Sequence, residues 1–220
     1  MEKVLSPEAV RVLGVLIEKE LSTPEYYPMT LNALVNGCNQ KSNRSPVVEY
    51  GEFQIRENID ELQRHRLVGH AAVAGSRTEK FRHASAQHWS LSREQLAILA
   101  SLMLRGPQTL GELRTHTTRM APFESIEHIA AQVETLAALE EPLVVSIGRS
   151  PGQKGERFAH LLEGPEALEA YTLAAAASDG GRSAGLSAGV STQIAEELEE
   201  VRARLSDLEE KFEAFRRQFE

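Results

Sequence analysis

The feature that most constrains this chain is an internal repeat with a spacing of about 80 residues, the signature of a duplicated structural unit. Leu5-Ser6-Pro7-Glu8 opens one copy and Leu91-Ser92-Arg93-Glu94 opens the other. Each Ser is suited to cap a helix, with Pro7 at the first helical position in one copy and a Ser92/Gln95 capping box in the other. Val10, Leu13, Ile17 and Leu21 then recur at helical spacing, as do Leu96, Leu99 and Met103, which predicts an amphipathic first helix in each copy. A short second helix follows, with Leu31, Leu34 and Val35 in one copy and Leu110 and Leu113 in the other, capped by Thr30 and Thr109. Ile55, Ile59 and Leu62 mark the third helix, matched by Ile129, Val133 and Leu136.

Each third helix leads into a β-prone run, Leu67-Val68 or Leu143-Val144-Val145, and then a Gly-containing turn. The pattern that follows occurs twice, as Glu79-Lys80-Phe81-Arg82-His83 and Glu156-Arg157-Phe158-Ala159-His160. Alternation there points Phe81 and Phe158 inward and the neighbouring basic residue outward. Three helices, a strand, a turn and a strand is the order of a winged helix. The expected fold is therefore mainly α (α+β), with one winged-helix domain at 1–90 and a second at 91–163.

The rest of the chain is of another kind. Residues 164–190 read as a short helix, Pro165 to Ala177, and then a flexible Ser/Ala/Gly linker. In 191–220, Ile194, Leu198, Val201, Leu205, Leu208, Phe212, Phe215 and Phe219 step by four and three, the seam of a coiled-coil helix. Such a seam predicts self-association as a parallel dimer, the alternative being a helix folded back on its own chain. The net charge of −8 is concentrated here: the three stretches 1–90, 91–163 and 164–220 carry 11, 7 and 6 basic against 11, 9 and 12 acidic residues, so 0, −2 and −6. Near-neutral repeats neither announce nor forbid a nucleic-acid partner.

The most polar stretch lies between the second and third helices of the first copy, from Cys38 to Val47, and the second copy has no equally polar equivalent. There Asn39, Gln40, Lys41, Asn43 and Arg44 are side chains of the kind that address base edges and phosphates. The other reading is an ordinary polar loop whose Asn and Ser satisfy their own backbone. Thr23-Pro24-Glu25-Tyr26-Tyr27-Pro28, Cys38-Asn39-Gln40-Lys41-Ser42-Asn43-Arg44, Leu104-Arg105-Gly106-Pro107-Gln108-Thr109 with Gly111-Glu112-Leu113-Arg114, and Arg157-Phe158-Ala159-His160-Leu161 together resemble the YceH-like family of bacterial proteins. The resemblance covers 5–163 well and the tail loosely. It implies a tandem winged-helix fold in a cytosolic protein, and it supplies no catalytic or ligand residues. Ser45 departs from the family pattern, in which an acidic residue precedes the proline.

Two functions of different class follow. In one, the chain binds double-stranded DNA, possibly as a transcriptional regulator: Gln54 and Arg56 at the start of the third helix enter the major groove, the polar loop contacts backbone or bases, and Arg77, Lys80 and Arg82 hold phosphate from the first wing. Arg149, Lys154 and Arg157 form a secondary wing. In the other, the paired winged helices are a non-enzymatic scaffold for an unknown protein partner.

Enzymatic readings find little support. Gly148, Gly152, Lys154 and Gly155 lack the Gly-Lys-Ser/Thr ending of a phosphate loop. His65, His70, His83 and His88 reproduce no zinc spacing, and Cys38, the one cysteine, has no partner and reads as a small buried side chain. Neither metal nor cofactor is expected. No apolar run approaches the roughly 18 residues of a membrane span, and the start lacks a signal-peptide core, so the expected location is the cytoplasm.

Overall fold

The computed structural model describes residues 4–72, 78–149 and 155–177. In the first copy, helix α1 (Pro7–Ser22) starts where the Ser6 hydroxyl accepts the Ala9 N–H at 3.1 Å, with Pro7 in its first turn. Strand β1 (Met29–Thr30) runs directly into α2 (Leu31–Cys38), capped by Thr30. After a long loop come α3 (Glu52–Arg64), β2 (Val68–His70), β3 (Lys80–His83) and the short α4 (Ser85–Trp89). The second copy repeats the order with α5 (Arg93–Arg105), β4 (Gln108–Thr109), α6 (Leu110–Thr117), α7 (Ile126–Ala137), β5 (Val144–Arg149) and β6 (Glu156–His160), and α8 (Gly164–Ala177) follows. Both expected capping residues of this copy act as capping boxes' first members, Ser92 with Gln95 and Thr109 with Glu112. The chain is thus α+β, a pair of helical units each closed by a small antiparallel sheet, ordered β1-β3-β2 and β4-β6-β5. The two-residue strands β1 and β4 and the helix α4 add to the sequence-level order, since two residues display no period.

The sheet registers place Phe81 opposite Met29 and His70, and Phe158 opposite Gln108 and Ser146, so the two phenylalanines occupy equivalent positions. Their burial differs. Phe81 is 1% exposed, whereas Phe158 is only partly buried against the core. Buried Met29 gives Phe81 an apolar cross-strand neighbour. Its counterpart Gln108 is instead a buried amide engaged by Ser101, donating to its carbonyl and accepting from its hydroxyl. Phe81→Ala should therefore cost about 3–5 kcal/mol and Phe158→Ala about 1–2 kcal/mol. Urea unfolding of the two variants tests the asymmetry, and equal losses would contradict it.

The first helices are not amphipathic in place. Every residue from Ala9 to Ile17 is buried, including Arg11, and so is every residue from Leu96 to Leu104. Helices α1 and α5 pack against each other, so each buries one face in its own copy and the other across the repeat. Gly14 permits the approach: a Cβ there would lie 3.0 Å from the Leu104 side chain. One continuous hydrophobic core consequently runs through both copies, and the chain through Ala175 is a single compact unit. Among the described residues no helix is long and apolar enough to cross a membrane. The linker and the seam from Ile194 to Phe219 lie outside the described residues, as do Arg77 and Lys154.

Candidate functional site

The polar loop between α2 and α3 does not stand out from the protein as a reading surface. Its base is closed by Asn39, whose Nδ2 donates to the Tyr50 carbonyl at 2.9 Å while its Oδ1 accepts the Tyr50 N–H at 2.7 Å. Its middle is anchored by Arg44, whose side chain is 0% exposed. The guanidinium grips Glu18 of α1 through both Nη atoms, at 2.6 and 3.1 Å, and donates to the Gly37 and Asn43 carbonyls and to Gln40 Oε1. Burial pushes the Glu18 carboxyl up, but the paired Arg44 outweighs it and holds the group below the usual carboxylate range.

The loop then reaches the second copy. Ser45 N–H donates to the Leu104 carbonyl at 2.9 Å, and Arg105 donates to Asn43 Oδ1. Arg11, buried within α1, donates from Nη2 to the Pro46 carbonyl at 2.7 Å. Arg93 completes the joint, donating to the Leu21 and Met120 carbonyls. These contacts correct the reading of the loop: Arg44 is a buried structural cation, and Asn39, Gln40 and Asn43 spend their side chains on the loop and its neighbours. Of that group Lys41 is exposed, and among the described residues its ammonium has no hydrogen bond or ion pair. Cys38, beneath the loop, is fully buried, and burial pushes its thiol up to about 12, far from a reactive thiolate.

The other candidate residues are dispersed. Gln54 is half-buried in the first turn of α3, and exposed Arg56 is 3.4 Å from Glu79. Lys80 is half-buried on β3 and Arg82 exposed, as alternation predicts. On the second copy Arg149 is exposed at the end of β5, while Arg157 donates to the Pro107 carbonyl and pairs with Glu112 at 3.3 Å. Arg157 is therefore tied to the fold.

The outward face of α3 carries what sequence reasoning missed. Glu52, Phe53, Arg56, Glu57, Asp60 and Arg64 all point to solvent, and Phe53 is 76% exposed. Val47, in the preceding loop, is 56% exposed, and Glu49 is exposed beside it in sequence. The signal was present in the sequence: Phe53 falls off the Ile55-Ile59-Leu62 stripe, and three acids share its side of the helix. Among the described residues no group of His, Cys, Asp and Glu is arranged to hold a metal ion.

The fold and these contacts define a class: a duplicated α+β protein whose two helix-and-sheet copies are fused through their first helices and strapped by a polar loop. The chain belongs to the family described as "Protein of unknown function, DUF480", whose model matches residues 5–153. It is similar to a UPF0502 protein of Aeromonas hydrophila, 43% identical over 215 residues, which covers 96% of this chain and 97% of the relative. A UPF0502 protein of Azoarcus is 41% identical over 216 residues, with 98% and 94% covered, and one of Geobacter sulfurreducens is 49% identical over 170, with 77% of each. The YceH-like resemblance of the motifs agrees with this membership.

Proposed function

We propose that this protein is a non-enzymatic interaction module, two winged helices fused into one body, that offers the outward face of α3 to a protein partner. The single observation that carries this reading is the chemistry of that face: exposed Phe53 at its head, with the carboxylates Glu52, Glu57 and Asp60 outnumbering Arg64 and an Arg56 already met by Glu79. In a winged helix this third helix is the one that would enter a major groove. Carboxylates there repel phosphates, whereas a basic segment with an apolar anchor complements them. The order of helices and strands in each copy supports the winged-helix reading, and the seam at 191–219 supports self-association of the full chain.

Duplex DNA is the second reading, favoured by the cations Lys41, Lys80 and Arg82 on the first copy. One comparison separates the two. A photo-crosslinker at position 53 of the full chain should capture a defined protein in cells, through a Lys/Arg-rich segment, and Glu57→Lys with Asp60→Lys should abolish that capture. Retardation of duplex DNA at about 50 mM salt, where non-specific binding is strong, lost in Lys80→Gln/Arg82→Gln and accompanied by no such crosslink, would overturn the proposal in favour of DNA. Sedimentation of the same full-length protein reads the self-association.

A further inference from the structure

Duplication supplies an internal comparison that separates what the fold requires from what it does not. The sheet registers make His83 equivalent to His160, Val68 to Val144 and Arg82 to Ala159. Arg66, two residues before Val68, is equivalent to Pro142, two before Val144. In the second copy Pro142 and Leu143 instead face a cavity of about 470 Å³ at the joint between the copies, shared with Leu67 and Trp89 of the first and with Leu162 and Leu168. In the first copy the same edge is a cleft of about 570 Å³ lined by Arg66, Arg82, Gln87, His83 and Glu20. A duplicated fold that closes with Pro and Ala at these positions does not need two arginines there.

Both arginines are exposed, and among the described residues neither guanidinium has a hydrogen bond or ion pair. Arg66 is held at φ 59°, in the left-handed region that non-glycine residues rarely adopt. The conformation closes α3: the Arg66 N–H donates to the Gln63 carbonyl and the Leu67 N–H to the Leu62 carbonyl, both at 2.9 Å, which fixes Arg66 at the lip of the cleft. The acid in the cleft is already engaged: Glu20 meets His83 Nε2, and that contact, with Arg93 and Arg82 beyond it, holds its carboxyl below the usual range. His83 is engaged on both sides, since its Nδ1 accepts the Ser85 N–H at 3.2 Å. What remains without a hydrogen-bond partner is a pair of guanidinium forks, Arg82 feeling the charge of Glu20 at longer range, with the exposed Gln87 amide in the same cleft.

We propose that this cleft binds a phosphoryl group, with Arg66 and Arg82 donating to its oxygens. Two forks match the charge and the planar sets of acceptor oxygens of a phosphate dianion. The group belongs either to a small phosphorylated molecule or to the backbone of a nucleic acid. The site is separate from the face of α3 and does not rest on the reading of that face.

Calorimetric titration of the full chain with inorganic pyrophosphate, alongside a mobility shift with a short DNA duplex, tests it. Saturable binding of pyrophosphate is expected, weakened about tenfold or more in Arg66→Gln/Arg82→Gln and unchanged in Arg119→Gln, an exposed arginine outside the cleft. Pyrophosphate binding without duplex retardation assigns a small phosphorylated molecule. Retardation that pyrophosphate displaces and the double variant abolishes assigns backbone phosphate. Absence of saturable binding to either ligand, or binding retained by the double variant, overturns the proposal. Circular dichroism confirms that the double variant is folded, and the single variants repeat the test if it is not.

Discussion

Replacing Arg44 by methionine should destabilise the protein by about 3–5 kcal/mol, the range for breaking a buried ion pair from one side. The loss comes mainly from what is left behind: Glu18, whose side chain is 15% exposed, keeps only Lys19 at 3.3 Å in place of the two-pronged guanidinium, and the Gly37 carbonyl and Gln40 Oε1 lose their donor. Arg44→Lys should recover only a small part. An ammonium carries the charge but cannot donate to two carboxylate oxygens, two carbonyls and an amide from one plane. Replacing Glu18 and Arg44 together by Met should be milder than Arg44→Met alone, because no charge is then stranded. Denaturant unfolding of the three variants checks this order, and a loss below about 1 kcal/mol in Arg44→Met would show that the pair does not hold the loop. Hydrogen exchange adds a local readout, for the Ser45 amide that donates to Leu104 should lose protection when Arg44 is removed.

The second large effect concerns acid. His160 is 3% exposed, neither ring nitrogen has a hydrogen-bond partner, and the Glu163 carboxylate is 3.9 Å from Nε2. Burial pushes its imidazole from the ordinary 6.5 down to about 4. The unfolded chain therefore takes up a proton at this residue before the folded one does. Stability is fully present above about pH 6.5, falls as the pH drops toward 4, and is lost by about 3 kcal/mol below that. Glu163 acts in the opposite sense, since burial raises its carboxyl and favours its protonated form in the fold. Glu18, Glu20 and Glu112 are all held below the usual range and give up their stabilisation at still lower pH. The difference between wild type and His160→Leu isolates the histidine. From pH 7 to 4 the wild type should lose about 3 kcal/mol relative to His160→Leu, whichever of the two is the more stable at pH 7, and parallel profiles would refute the assignment.

These two residues also show how far the sequence could be read. Arg44 is a cation in a stretch of Asn, Gln, Lys and Ser, and nothing local separates a buried arginine from an exposed one. Its partner Glu18 lies 26 positions earlier, on a helix whose pattern displays only its own face. His83 and His160 end the same repeated pentapeptide and occupy the same register, yet one meets Glu20 and the other has no hydrogen bond. The candidate site shifted for the same reason: burial claimed Arg44, local bonds claimed Asn39 and Arg157, and exposure fell to Phe53 and Arg66, which no motif marks.

What the sequence determined by itself was the duplication, the helix starts at Ser6, Ser92, Thr30 and Thr109, the apolar stripes of α3 and α7, and the equivalence of Phe81 and Phe158. Each of these depends on residues close in the chain or on a pattern that occurs twice. The tertiary structure alone decided that α1 and α5 bury both faces against each other, that the polar loop bridges the copies, and that one copy's strand edge opens on a cationic cleft while the other's lines a cavity at the joint. Those outcomes depend on which surfaces meet across 60 or more residues, as Asn43 and Arg105 do. Periodicity shows which side of a helix is apolar, and burial of the remaining side is set by a partner that the local sequence does not contain.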